Sequence, residues 1–203
     1  MITPPPLPSP EHQRLLFEVA FEAIRRGLAG GPPWAVDAVG YPPELRQPQA
    51  LFVTLLRRGQ LRGCVGTMTS PEPLVVNVAH YAHSAAFGDS RFDRLLESEL
   101  PGLEVHLSLL SELEPIPCQS EAELLAQLRP GSDGLLLEDG FYRGTFLPSV
   151  WKELPNPADF VRQLKRKAGM SPAHWSATLR CQRYLTTSLS ATGGTTAKDS
   201  VGP

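Results

Sequence analysis

The chain has 203 residues, of which 41% are hydrophobic and 20% are charged, and its formal net charge is −2. This composition is typical of a globular protein that buries one substantial core, as a single domain or as two closely joined lobes. The small net charge provides no general attraction for nucleic acids or anionic membranes, and no run of about 18 apolar residues could cross a bilayer.

The N-terminal segment is rich in proline, with five prolines between Pro4 and Pro10. Such a segment favours an extended chain, so we predict a disordered lead-in over residues 1–10. It lacks the basic region and apolar core of a secretory signal, which predicts a cytoplasmic protein. From Glu11 to Leu28 the apolar residues recur at intervals of three and four, which predicts a helix.

Two β-rich runs follow, at 50–56 and 61–66, and a short turn around Gly59 separates them. They predict an antiparallel hairpin. Alternation along the second strand predicts two faces: Arg62, Cys64 and Gly66 on one, and Leu61, Gly63 and Val65 on the other.

Capping signals predict the next elements. Ser70 followed by Pro71 predicts a helix that runs to Gly88. Alternating apolar residues over 103–109 predict a half-buried strand, and Ser120 predicts the start of a short helix that ends before Pro130.

The last third repeats the outline of the first. A hairpin is predicted over 135–147, with its turn at Asp139-Gly140, and a helix from Asn156 to Gly169. Because each hairpin carries an Arg-Gly pair and precedes a capped helix, we formulate the hypothesis of an internally duplicated hairpin–helix unit. A final strand is predicted over 179–185, and residues 187–203, rich in Ser, Thr and Gly, are predicted to be a disordered tail.

Several motifs of this chain resemble the AMMECR family and occur in the order seen there: Phe52–Leu55, Leu61–Thr67, Asp89–Phe92, Phe146–Val150, Lys167–Met170 and Trp175. The family signature L-R-G-C-I-G differs here only at Val65, and its D-P-R-F motif has Ser90 in place of proline. The resemblance extends from about Leu16 to Tyr184, so we assign an AMMECR-like domain to residues 11–186.

The resemblance implies an α+β fold with two unequal lobes, mostly antiparallel strands and flanking helices. It does not imply a reaction. Prokaryotic members of the family are associated with Memo-like proteins and with radical S-adenosylmethionine proteins, which makes both expected partners.

Cys64 is the residue whose chemistry matters most to the prediction. The three cysteines include no C-x-x-C pair, so we expect reduced thiols and neither a metal site nor a cofactor. Arg62 lies two residues from Cys64 and favours the thiolate, while Gly63 and Gly66 allow close approach of a ligand. Three interpretations of Cys64 stay open: a small buried residue, a nucleophile, and part of a noncovalent ligand site.

A nucleophile needs a base, and His80 and His83 on the following helix are the candidates. They share one face of that helix, and with Cys64 as a third ligand they are also a candidate metal site, although the spacing lacks a zincin glutamate. A solvated histidine pair is the alternative.

Asp89 and Arg91 are expected either to close a turn or to join the anion site. In the second case Arg91 and Arg62 hold an anionic small molecule through their guanidinium forks.

The favoured function is a small-ligand or protein-interaction module that acts with a Memo-like partner through Leu61–Gly66. The alternative is a cysteine-dependent enzyme that acts on an anionic small molecule. A nucleic-acid-binding regulator is disfavoured by the charge.

Overall fold

A computed structural model describes residues 2–193 of the chain. Its helices are α1 (Pro10–Leu28), α2 (Leu74–Phe87), α3 (Glu121–Gln127) and α4 (Pro157–Lys167). Its strands are β1 (Leu51–Arg57), β2 (Gln60–Gly66), β3 (Leu103–Leu110), β4 (Glu114–Pro115), β5 (Gly134–Asp139), β6 (Tyr142–Phe146), β7 (Arg180–Tyr184) and β8 (Thr186–Thr192). Single turns of 3-10 helix occur at Ala38–Gly40, Pro43–Arg46, Glu97–Glu99 and Pro148–Lys152. The chain is therefore α+β, as expected.

The chain divides into two units. The N-unit comprises Pro6–Leu110 and the described residues from Thr187 onward, and the C-unit comprises residues 2–5 and Ser111–Thr186. Each contains one four-stranded sheet, with the order β2-β1-β3-β8 in the first and β4-β7-β5-β6 in the second. In both sheets the second strand of a hairpin lies at the edge, and a later strand pairs antiparallel with the first strand of that hairpin. This shared order agrees with the duplication hypothesis.

The core of the N-unit lies between the sheet and its helices. The side chains of Leu51, Val53 and Leu55 alternate along β1 and are completely buried. Helix α2 covers this face with small residues, and its alanines bring its backbone close to β2. A Cβ atom built on Gly63 would lie 2.1 Å from the carbonyl oxygen of Ala85, so only glycine fits there.

A β-bulge changes the register of the first hairpin. Thr54 pairs with Cys64, but beyond the irregularity Leu56 pairs with Leu61, which leaves Arg62 as the extra residue. Because directly paired residues share a face, Leu61 lies on the same face as Cys64. The predicted alternation is therefore confirmed from Gly63 to Gly66 and wrong at Leu61, which it placed on the face opposite Cys64.

The C-unit has its own core around Trp151 and Phe160, whose rings stack with centroids 3.8 Å apart. Helix α4 packs on β6, where a Cβ atom on Gly144 would lie 2.8 Å from Cβ of Ala168. Gly144 therefore meets α4 much as Gly63 meets α2.

Most predicted elements are confirmed, including α1, both hairpins, α3 with Ser120 as its cap and α4 with Asn156 as its cap. The start of α2 was predicted too early. Ser70 instead accepts hydrogen bonds from the backbone N–H of Glu72 and from the Asn77 side chain, so it stabilises the turn before the helix.

The predicted disordered tail is wrong for residues 187–192, which belong to β8. Leu189 is buried there, and the edge position beside β3 gives these residues a partner strand. The rest of the tail, at 194–203, lies outside the described residues. Residues 2–9 form neither helix nor strand, and their disorder stays a prediction. None of the helices in 2–193 has both the length and the apolar content needed to cross a membrane.

Candidate functional site

The face of the N-unit sheet opposite α2, here named the open face, carries the Cys64 side chain. Three rows of paired residues cross β2, β1 and β3 on this face: Leu61–Leu56–Glu104, Cys64–Thr54–His106 and Gly66–Phe52–Ser108. Leu61 is 44% exposed, and Cys64, Thr54 and His106 are half-buried. The open face therefore combines an exposed apolar side chain with a partly accessible thiol.

The Cys64 thiol has one hydrogen-bond partner among residues 2–193. Its Sγ atom lies 3.2 Å from Oγ1 of Thr54, on the neighbouring strand. His106 follows Thr54 in the same row, two strand spacings or about 10 Å from Cys64 along the sheet. Its Nε2 atom lies 3.4 Å from Oε2 of Glu104. His106 therefore lies on the same face of the sheet as Cys64 but does not contact it.

The backbone of Cys64 is held by the Asp89–Arg91 pair. Strand β2 is a sheet edge, so alternate backbone groups point away from β1. The N–H of Cys64 donates to Oδ2 of Asp89 at 2.8 Å, and its carbonyl accepts from Arg91 at 3.3 Å. Arg91 also donates twice to the Asp89 carboxylate, at 2.9 and 2.6 Å. The pair therefore occupies the sheet edge as a neighbouring strand would.

These contacts fix the charge state of Asp89. The hydrogen bond from Arg91, aided by the one from the Cys64 backbone, lowers the pKa of Asp89 to about 2, against the opposing effect of burial. The same carboxylate raises the pKa of Arg91. Both side chains are charged at neutral pH and neutralise each other.

Arg62 is neutralised in the same way by Glu99, in the 3-10 turn before β3. Its Nε and Nη2 atoms donate to the two carboxylate oxygens at 2.8 and 3.0 Å. The hydrogen bond from Arg62 lowers the pKa of Glu99, which raises that of Arg62 in return. The Phe92 ring lies near both Arg62 and Arg91, with its centroid 6.0 and 5.5 Å from their guanidinium carbons.

The glycines of the motif are also used within the chain. Gly63 accommodates Ala85, as described above, and a Cβ atom on Gly66 would lie 2.3 Å from the carbonyl oxygen of Leu51. That carbonyl accepts a hydrogen bond from the N–H of Thr67. The close approach predicted for a ligand at these glycines is made by the protein's own backbone.

His80 and His83 are not brought to Cys64. Both lie on α2, which packs against the opposite face of the sheet. His80 is exposed, whereas His83 packs on the Phe87 ring, and its buried Nε2 atom has no hydrogen-bond partner among the described residues. Burial, with the nearby positive charges, lowers the pKa of His83. Within 2–193 no cluster of three or more potential metal ligands occurs.

A cavity of about 390 Å³ lies at the turn end of the β1–β2 hairpin. We name it the hairpin-end cavity, and its lining consists of Arg57, Arg58, Gln60, Leu61, Arg62 and Glu99. It adjoins the open face through Leu61.

Sequence reasoning did not assign Glu99, Thr54, His106 or Phe92 to the site, although Thr54 and Phe92 lie within the family motifs. Glu99 is 37 residues from Arg62 and lies in an acidic stretch with no motif of its own. Thr54 was detectable only from the register, which the bulge displaces by one residue. His106 lies on the polar side of an alternating strand, and this was the one feature of the sequence that could have indicated its place on the open face.

Comparisons with known proteins agree with the motifs. The family model described as AMMECR1 matches residues 17–189. A protein of Methanothermobacter thermautotrophicus is 36% identical over 165 residues, which cover 81% of this chain and 85% of that protein. A protein of Thermococcus gammatolerans is 36% identical over 172 residues, which cover 80% of this chain and 79% of that protein.

The fold is also similar to a solved structure. The crystal structure of an uncharacterised protein from Pyrococcus horikoshii superposes with a TM-score of 0.81 at 30% identity, covering 89% of this chain and 91% of that one. Together, the family model, the relatives and the Leu61–Gly66 motif show that this chain belongs to the AMMECR1 family.

Proposed function

We propose that this AMMECR1-family protein is a binding module that recognises a protein partner through the Leu61–Gly66 side of the open face. The expected partner is a Memo-like protein. The observation that carries the proposal is the contrast on β2 between Leu61, which is 44% exposed, and the charged motif residues, which are neutralised within the chain.

The internal pairing of the motif residues supports recognition by shape. Arg62 and Arg91 each direct Nε and Nη2 to a carboxylate, that of Glu99 and that of Asp89, so an anion that needs this edge of either guanidinium group would have to displace the carboxylate. The two pairs hold the edge strand and the loop after α2 in one arrangement. A preformed surface of this kind loses little conformational entropy when a partner binds.

The surface that remains has the composition of a recognition patch. Leu61 supplies exposed apolar area beside the half-buried Cys64 and Thr54. Apolar side chains in the centre of an interface, with polar groups around them, provide most of the affinity of typical complexes. Cys64 then contributes packing, because a free cysteine behaves as a small apolar residue.

The test is the affinity of a purified Memo-like protein for matched variants, measured by calorimetry. Leu61→Asp places a charge in the proposed interface and is expected to weaken binding by at least about tenfold. Phe141→Asp is the control, because Phe141 is a fully exposed apolar residue at the turn of the second hairpin. Unchanged affinity of Leu61→Asp, or an equal loss in Phe141→Asp, would contradict the proposal.

A cysteine-dependent enzyme is the second candidate, and the 3.2 Å contact between Thr54 Oγ1 and Cys64 Sγ favours it. The Cys64 thiol would give up its proton to solvent and add to a carbonyl carbon of an anionic small molecule, forming a C–S bond while the C=O π electrons move to the carbonyl oxygen, which takes up a proton. Cys64→Ser separates the two functions: the binding module retains its affinity for the partner and its cellular role, whereas the enzyme loses all turnover. Loss of the cellular role in Cys64→Ser with intact partner binding would favour the enzyme.

A further inference from the structure

The turn of the first hairpin holds an arginine in an unfavourable backbone conformation. Arg57 pairs with Gln60, so Arg58 and Gly59 form a two-residue turn, with φ angles of 52° and 73°. Two positive φ angles define the type I′ turn, in which Asn-Gly and Asp-Gly are preferred. Arg58 is the one non-glycine residue with positive φ within 2–193. Conformational preference does not explain an arginine at this position.

Arg58 is also the arginine of this region without a partner. It is exposed, and it makes no hydrogen bond or ion pair with any described residue. Arg57 lies 3.7 Å from Glu99, but Glu99 already accepts both hydrogen bonds from Arg62. The lining of the hairpin-end cavity therefore contains three arginines and a single glutamate, which gives the described lining a net charge of +2.

We propose that the hairpin-end cavity is an anion site that takes a doubly charged phosphate group, held mainly by Arg58 and Arg57. Two guanidinium groups beside one cavity match the charge and the oxygen geometry of a phosphate monoester. The Gln60 amide, which lines the same cavity, provides a neutral donor. Arg62 shapes the wall and stays paired with Glu99.

This inference deepens the proposed function, since it assigns a ligand chemistry to the same hairpin, and it can fail separately. Binding of phosphate is measured on the protein alone. Binding of the partner through Leu61 is measured without phosphate. A phosphate site with no partner interaction, or a partner interaction with no phosphate site, identifies which of the two proposals is wrong.

The experiment is a titration of the full chain with inorganic phosphate at low ionic strength, followed by the backbone NMR signals of residues 57–62. Saturable shifts confined to this turn are expected. Arg58→Asn removes the free guanidinium and relieves the backbone, so we expect phosphate affinity to fall at least about fivefold while the melting temperature rises by about 2 °C. A rise in stability combined with a loss of binding cannot result from misfolding.

Arg180→Asn is the matched control, because Arg180 is 75% exposed and its removal changes the net charge equally. Its phosphate affinity is expected to equal that of the wild type. The proposal is overturned if the turn signals do not saturate, or if Arg58→Asn binds phosphate as well as the wild type does. A short phosphoserine peptide identifies the source of the phosphate: tighter binding than inorganic phosphate indicates a phosphorylated partner, and equal binding indicates a small phosphorylated ligand.

Discussion

The two hairpins of this protein share a backbone arrangement but differ in the side chains of their edge strands. In the N-unit the edge strand reads Arg62-Gly63-Cys64, and in the C-unit it reads Arg143-Gly144-Thr145. Each glycine faces a helix at a distance that no larger residue would fit without a shift. In each strand the carbonyl after the glycine accepts a hydrogen bond from a cation at or beyond the end of that helix, Arg91 for Cys64 and Lys167 for Thr145.

The third residue of each triplet marks the difference. The Thr145 hydroxyl makes two hydrogen bonds within the C-unit, since it lies 2.9 Å from the carbonyl oxygen of Leu135 and 2.7 Å from the Tyr184 hydroxyl. Within residues 2–193, the Cys64 thiol is hydrogen-bonded to Thr54 alone. For the arginines, the N-unit residue is the more enclosed of the two: the Arg62 side chain is 15% exposed, whereas that of Arg143 is 57% exposed. The backbone of the N-unit hairpin is thus fixed by ion pairs on either side of a half-buried thiol, and a fixed backbone suits a recognition surface.

The largest expected effect concerns the two glycines. Gly63→Ala forces a methyl group against the rigid backbone at Ala85, and we expect it to lower the free energy of unfolding by about 3 kcal/mol. Gly144→Ala should cost about half as much, because its nearest contacts, the Cβ and backbone atoms of Ala168, lie at 2.8–3.1 Å and not at 2.1 Å. Urea unfolding of both variants measures the difference. Equal losses would show that the two helices approach their hairpins equally closely.

The second-largest expected effect concerns the stability lost when Arg62 or Arg143 is replaced by alanine. Arg62→Ala leaves the Glu99 carboxylate, which is 12% exposed, without its main partner, and we expect a loss of about 2 kcal/mol. Arg143→Ala breaks an exposed pair with Glu138 and should change stability by less than about 0.5 kcal/mol. Thermal unfolding measures both variants. The double variant Arg62→Ala, Glu99→Ala should recover part of the loss, and no recovery would contradict the assigned pairing.

We expect acid to destabilise the N-unit by protonating Asp89. Its pKa is lowered from 3.8 to about 2 in the folded protein, so its contribution to stability is complete above pH 4 and is lost as the pH falls toward 2. Asp89→Asn removes this titration and is expected to lower stability by about 1–2 kcal/mol at neutral pH, with a flatter decline below pH 4. Lys167→Ala is the control, because Lys167 at the end of α4 donates to the Thr145 carbonyl of the second hairpin as Arg91 does to that of Cys64. Unfolding profiles between pH 2 and 7 decide the outcome, and an unchanged acid slope in Asp89→Asn would refute the assignment.

Much of the fold was predictable because local rules determine it. The turn around Gly59, the cap at Asn156 and the periodicity of α1 are each encoded within a few residues. The start of α2 was not, because Ser70 uses its hydroxyl in the preceding turn. Strand β8 depends on pairing with a strand that lies far away in the sequence.

The sequence was sufficient to locate the candidate site in the chain, but not to predict which partners its charged residues contact. The motif identified Arg62, Asp89 and Arg91, but their partners depend on tertiary contacts over 25–37 residues. The bulge is the clearest example. With regular pairing from the turn, Thr54 would face Gly63 and Cys64 would point toward α2, whereas the extra residue turns Cys64 to the open face. No local signal in the sequence specifies that extra residue.

The most direct test of the recognition surface is alkylation of the three cysteines, with and without a saturating Memo-like partner. Iodoacetamide labelling is followed at each cysteine by mass spectrometry, and Cys118 in the C-unit serves as the internal reference. We predict that Cys64 is labelled in the free protein and that the partner slows this labelling by at least about tenfold, since interface residues are shielded from solvent. Labelling of Cys64 at an unchanged rate in a complex shown to be intact would contradict the account.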